Sequence, residues 1–170
     1  MGVPASERVR GSGGQRPPVR MMLAAALTIA ASLWALVIVA TPYLAARGSM
    51  PWGVLLVYQL GSLICHQRPE RSFHLAGVQM PVCARCFGLY AAGAAGLLIA
   101  WAVRGTWARD RARMLLAMAA VPIALSVALE WAGAIATTNL FRTATALPLG
   151  FAAGLVAVAA LRIRNTKSPA

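Results

Sequence analysis

Acidic residues are nearly missing from this chain: Glu7, Glu70, Asp110 and Glu130 are its only carboxylates, against sixteen Lys and Arg in 170 residues. Charge of either sign is scarce, at 12% of the sequence, which is well below the share in soluble globular domains and argues against one. The apolar stretches lack the alternation of membrane barrel strands, which argues against a barrel. No internal repeat stands out, so an inverted-repeat transporter is not indicated. No A-x-A sequence follows the first apolar run, so that run reads as an uncleaved anchor rather than a secretory signal. Three cysteines fit a complete set of disulfides poorly.

What is present is apolar. Hydrophobic residues make up 59% of the chain and its mean hydropathy is +0.68, which places it among polytopic membrane proteins. Apolar blocks run from Met21 to Tyr43, Phe87 to Val103, Met114 to Ile135 and Thr143 to Leu161. Each approaches the ~20 residues that cross a ~30 Å hydrocarbon core. Backbone groups left unpaired in lipid are costly, so the spans are expected to be helices and the fold an all-α bundle of four transmembrane helices. Trp52 to Ile64 is apolar but too short to cross, and reads as a re-entrant or interfacial helix.

The net charge of +12 is arranged as a topology signal rather than as a nucleic-acid surface, because the arginines cluster at the ends of the apolar blocks. With four spans and an inside N-terminus, eleven basic residues fall inside: Arg8, Arg10, Arg16, Arg20, Arg104, Arg109, Arg111, Arg113, Arg162, Arg164 and Lys167. Arg47, Arg68, Arg71, Arg85 and Arg142 fall outside. A fifth span at Trp52 to Ile64 would split the basic residues eight to eight, so the positive-inside rule favours four. The expected location is the bacterial inner membrane, multi-pass, with both termini cytoplasmic and the lipid bilayer as the main partner. Residues 1–20 and 163–170 are expected to be cytoplasmic tails, the first disordered, flanking a domain over 21–162.

Small residues recur every four positions at Gly88, Ala92, Gly96 and Ala100, and Gly150 and Gly154 form a GxxxG. These faces are expected to pack helices closely, within the bundle or between copies in a homo-oligomer. Pro122 and Pro148 fall inside the third and fourth spans, where each removes a backbone donor.

All three cysteines and both histidines sit between Ile64 and Gly88, in ICHQRPERSFHLAGVQMPVCARCFG, on the side the topology makes extracytoplasmic. Two chemistries fit. In the first, Cys83 and Cys86 form a CxxC knuckle with Gly88 easing the turn, and Cys65 and a histidine complete a tetrahedral site. Thiolates with one imidazole favour Zn²⁺, and would also hold iron or copper(I). His74 is preferred over His66 as ligand, because His66 adjoins Cys65 and neighbouring side chains converge on one ion only with strain. In the second, Cys83 and Cys86 are a redox pair at a helix N-terminus, with Arg85, Arg68 and Arg71 adding positive potential and Cys65 resolving. The plain alternative is a structural disulfide and one inert thiol. Pro69 interrupts any helix through the intervening polar run, and Glu70 is expected to pair with Arg68 or Arg71.

Glu130 lies within the third apolar block, where a bare carboxylate costs at least ~2.5 kcal/mol, so it is expected to face the bundle interior with a cationic partner. Asn139 and Arg142, from the turn after that block, are the partners expected first, with Arg68 or Arg71 as substitutes. A structural ion pair and a role in proton or ion handling are equally compatible with that placement.

These residues resemble a family of small bacterial and archaeal membrane proteins known only as a domain of unknown function. The matching segments are Cys65-His66-Gln67, Pro69-Glu70-Arg71-Ser72-Phe73 and Pro81-Val82-Cys83-Ala84-Arg85-Cys86 with Gly88, followed by Glu130 and Thr138-Asn139-Leu140-Phe141-Arg142. Phe87 stands where relatives commonly carry a small hydroxyl residue, and Glu130 where they more often have Asp followed by Gly. The resemblance implies a family without an established activity. The expectation is therefore a membrane protein with a zinc-like Cys/His site; the alternatives are a thiol-disulfide oxidoreductase and a small transporter using Glu130.

Overall fold

The computed structural model describes residues 19–48, 51–103 and 109–163. Most of both expected tails, and residues 104–108 of the arginine loop, lie outside the described residues. Five helices follow in order: α1 (Val19–Ala46), α2 (Trp52–Ile64), α3 (Ala84–Ala102), α4 (Arg109–Trp131) and α5 (Asn139–Ile163). Between α2 and α3 come a 3₁₀ turn at Pro69–Arg71 and a small antiparallel hairpin, β1 (His74–Leu75) with β2 (Val78–Gln79). Among the described residues, four helices are long and apolar enough to cross a membrane. The fold is thus an all-α polytopic bundle, and α2, with 13 residues and about 20 Å of rise, falls short of a crossing.

α3 and α5 form the centre, packing more extensively on each other than any other pair. Gly88, Gly96, Gly150 and Gly154 sit at their seam. A Cβ added at Gly88 would lie 2.7 Å from the Thr143 carbonyl, and one at Gly154 would lie 2.6 Å from the Leu97 nitrogen. The small-residue faces therefore meet each other within one chain, where close backbone approach supplies dispersion contacts that lipid cannot. Gly88 is accordingly not a knuckle residue: it lies inside α3 and faces α5. Thr143 strengthens the seam by donating from Oγ1 to the Ala84 carbonyl at 2.9 Å.

The helix ends decide what is brought together. α4 closes four residues before Ile135, because Gly133 takes φ +68 and a Schellman pattern forms, with Gly133 N–H on the Glu130 carbonyl at 3.2 Å and Ala134 N–H on Leu129 at 3.0 Å. This leaves Glu130 in the last turn of α4. Thr138 caps α5, its Oγ1 accepting from the Phe141 N–H at 3.2 Å, so Asn139 and Arg142 share the first turn. The end of α1, the α2–α3 segment, the end of α4 and the start of α5 thus gather at one end of the bundle. At the opposite end Arg162 donates to the Ala100 carbonyl at 2.7 Å and lies 4.8 Å over the Trp101 ring, closing the C-terminus of α3.

Beneath the α2–α3 segment, Ile38 of α1 packs with Cys65, Met80 and Val82 as a buried cluster, joined by Phe73, Leu75 and Phe87. Phe73 and Phe87 meet edge to face with centroids 6.0 Å apart. This small core anchors the hairpin to the membrane helices.

Candidate metal centre and arginine cluster

Three local features converge the thiols. Cys65 terminates α2, its N–H bonding the Gly61 carbonyl at 2.9 Å. Cys83 occupies the N-cap of α3, and Cys86 follows in the first turn. The Cys83 N–H donates to Cys65 Sγ at 3.1 Å, and all three Sγ atoms lie within 4.8 Å of one another. All three cysteines are free thiols. Hydrogen bonds from the Cys83 and then the Cys86 side chains hold the Cys65 thiol far below its ordinary value.

Gln67 organises this approach. Its backbone adopts φ +46, a left-handed conformation uncommon for a side-chain-bearing residue, and its amide donates to the Tyr58 carbonyl at 2.8 Å and the Pro81 carbonyl at 2.7 Å. In return the Gln79 amide donates to the Gln67 carbonyl at 2.5 Å. A Cβ at Gly61 would lie 2.6 Å from the Gln67 amide nitrogen, so glycine is what admits this clamp. Sequence reasoning gave Gln67 no role of its own; its place in the Cys65-His66-Gln67 segment that matches the family was the signal for one.

The histidines part company. His74 lies on β1 between Phe73 and Leu75, both of which pack on the core, so strand alternation turns it outward, where it is exposed. It falls outside the thiol group. His66 is also exposed and outside that group, but it lines the same cavity as the thiols, a volume of ≈ 450 Å³.

The cavity's other wall is cationic. Glu130 receives Arg142 Nη2 at 2.8 Å on Oε1 and Arg85 Nη2 at 2.5 Å on Oε2, with Arg71 Nη2 at 3.4 Å. Arg142 also donates through Nη1 to Asn139 Oδ1 at 2.9 Å. Asn139 donates in turn to the Ser72 carbonyl at 2.9 Å, tying α5 to the turn after Pro69. The expected partners Arg142 and Arg71 are thus in place, and Arg85, assigned to the thiols from sequence, is a third. Glu70 pairs with Arg68 at 3.8 Å on the exposed rim.

Fold and site define a four-span helical membrane protein carrying a thiol cluster and a buried arginine cluster at one end. The chain belongs to the family described as predicted membrane protein (DUF2085), whose model matches residues 65–156, more than half of the sequence. Those residues include all three cysteines, Glu130 and Arg142. The chain is also 45% identical over 62 residues to an uncharacterized protein of Methanocaldococcus jannaschii, covering 34% of this chain and 40% of that protein. It is 34% identical over 88 residues to an uncharacterized protein of Methanothermobacter thermautotrophicus, covering 51% of this chain and 78% of the relative. No solved structure matches the chain.

Proposed function

We propose that this membrane protein binds a zinc-like metal ion through Cys65, Cys83 and Cys86, with His66 as the fourth ligand, at the extracytoplasmic surface of the bacterial inner membrane. The observation that carries the reading is the grouping of three sulfurs from two separated segments within 4.8 Å. In a tetrahedral thiolate site with metal–sulfur bonds of ~2.3 Å, sulfurs stand about 3.8 Å apart, so small side-chain rotations close the site. The donor set fits the ion: thiolates are soft ligands, and the α3 N-terminus and the Cys83 N–H both favour thiolate over thiol. Such a centre would clamp the end of α2 to the start of α3, making metal affinity part of folding free energy.

The same residues serve the thiol-exchange reading, with Cys83 and Cys86 as the redox pair. Its support is their position at the α3 N-terminus. The transporter reading is weaker, because a carboxylate already held by three guanidiniums is poorly placed to carry a proton.

Elemental analysis with thiol counting, on protein purified in mild detergent, separates the first two. One metal per chain, lost in both Cys65→Ser and Cys83→Ser, supports the metal site. Metal-free protein with a reversible Cys83–Cys86 disulfide would replace it with thiol exchange. Labelling of Cys86 from outside intact spheroplasts after metal removal tests the orientation.

A further inference from the structure

The arginine cluster is out of electrical balance. Arg71, Arg85 and Arg142 surround the carboxylate of Glu130, leaving two positive charges that no other carboxylate among the described residues pairs. Arg142 is 8% exposed, and the side chains of Arg85 and Arg142 retain 15% and 10% of their exposure. In each of these two, the buried Nε–H has no hydrogen-bond partner among the described residues. The remaining rim pair, Arg68 with Glu70, is self-neutralising and contributes no countercharge. Of the other described acid, Asp110 sits in the first turn of α4, at the far end of the bundle.

Buried charge without a partner is expensive, and so is a buried donor left unmade. Specific binding of an anion relieves both. All three arginines line the ≈ 450 Å³ cavity, together with Arg68, Ile64, Trp131 and the thiols. Its volume accepts a tetrahedral oxyanion with room to spare. Guanidinium groups match the paired oxygens of such an anion, and a doubly charged one offsets more of the excess positive charge than a single carboxylate would.

We propose that the cavity walled by Arg71, Arg85 and Arg142 binds a phosphate-class oxyanion. Glu130 then acts as the internal counterion that holds the guanidiniums in place and limits how tightly the anion is held. The inference stands apart from the metal reading, because none of its contacts requires a thiolate. The phosphate can come from solution or from the headgroup of an anionic lipid, since the cavity opens at the end of the helices where headgroups lie.

The test uses the full chain in mild detergent, titrated with inorganic phosphate in a calorimeter and followed by thermal unfolding, with chloride at matched ionic strength as control. A second arm compares nanodiscs of phosphatidylcholine with and without phosphatidylglycerol. The expected result is saturable binding near one per chain, or a stabilisation specific to phosphatidylglycerol; the responding arm names the source. Arg85→Gln and Arg142→Gln weaken the response by about tenfold or more, as loss of a charge-assisted hydrogen bond implies. Glu130→Gln strengthens it, and His74→Ala, at an exposed position outside the cavity, leaves it unchanged. Arg71→Gln, whose side chain is 35% exposed, keeps the fold and still weakens the response, which covers the case where the more buried variants fail to fold. Responses no larger than chloride produces in both arms, or a response that survives Arg71→Gln undiminished, would overturn the proposal.

Discussion

The Cys83 backbone N–H points at the Cys65 sulfur across 3.1 Å, joining residues 18 apart in sequence. One is the last link of α2 and the other the cap of α3, so the contact fixes how the short helix meets the bundle. Most of what surrounds the thiols follows from that junction. Gln67 holds its polypeptide strand in place, and the hairpin core supports it from below.

Gln67→Ala removes two half-buried hydrogen bonds while leaving every proposed ligand intact. Residues that orient ligands typically contribute 10–100-fold in metal affinity, so a loss of about that size is expected. Competition with a chromophoric chelator measures it, and wild-type affinity in Gln67→Ala would show that the clamp does not position the ligands.

The two histidines are expected to behave differently. His66→Ala should weaken metal binding or replace a nitrogen ligand by water, whereas His74→Ala, altering an outward strand position, should leave metal content at the wild-type level. Metal content of both variants after dialysis against a weak chelator reads this out. A loss confined to His74→Ala would reverse the assignment.

Much of this was legible in advance, and the reasons differ by residue. The four spans and α2 could be read because length and hydropathy alone decide them; the structure starts and stops α2 at Trp52 and Ile64 as the sequence indicates. The convergence of Cys83 and Cys86 follows from a CxxC at a helix start. The outward setting of His74 was not legible, because a two-residue strand carries too little pattern to reveal its inward and outward sides. Gly88 was read both as easing the turn after CxxC and as part of a packing face, and only its contact with α5 decides for the second. The Arg85 to Glu130 pair spans 45 positions, and only the packing of α3, α4 and α5 brings it together.

Within α3, two glycines give a graded test of the seam with α5. Gly88→Ala drives a methyl group against the Thr143 backbone, and overpacking of this kind costs about 1–3 kcal/mol. Gly93→Ala meets only the Gly150 carbonyl, at an ordinary 3.6 Å, and should be nearly neutral. Unfolding in detergent compares them, and equal effects would contradict the proposed seam.

Removing the carboxylate from the arginine cluster should destabilise the fold. Breaking a buried pair by deleting one partner costs about 3–5 kcal/mol, so Glu130→Gln is expected to unfold at clearly lower temperature in phosphate-free buffer. Arg71→Gln should cost less, because that side chain is half-buried and its pairing distance is 3.4 Å. Thermal unfolding of both variants orders them, and the reverse ranking would count against Glu130 as the hub.

X-ray absorption at the metal edge of the purified, metal-loaded protein reads the proposed ligands directly. The expected spectrum has about three sulfur scatterers near ~2.3 Å and one nitrogen near ~2.0–2.1 Å. A spectrum dominated by oxygen and nitrogen, or protein that retains no metal while its three thiols stay reduced, would contradict the assignment of Cys65, Cys83 and Cys86 as a metal centre.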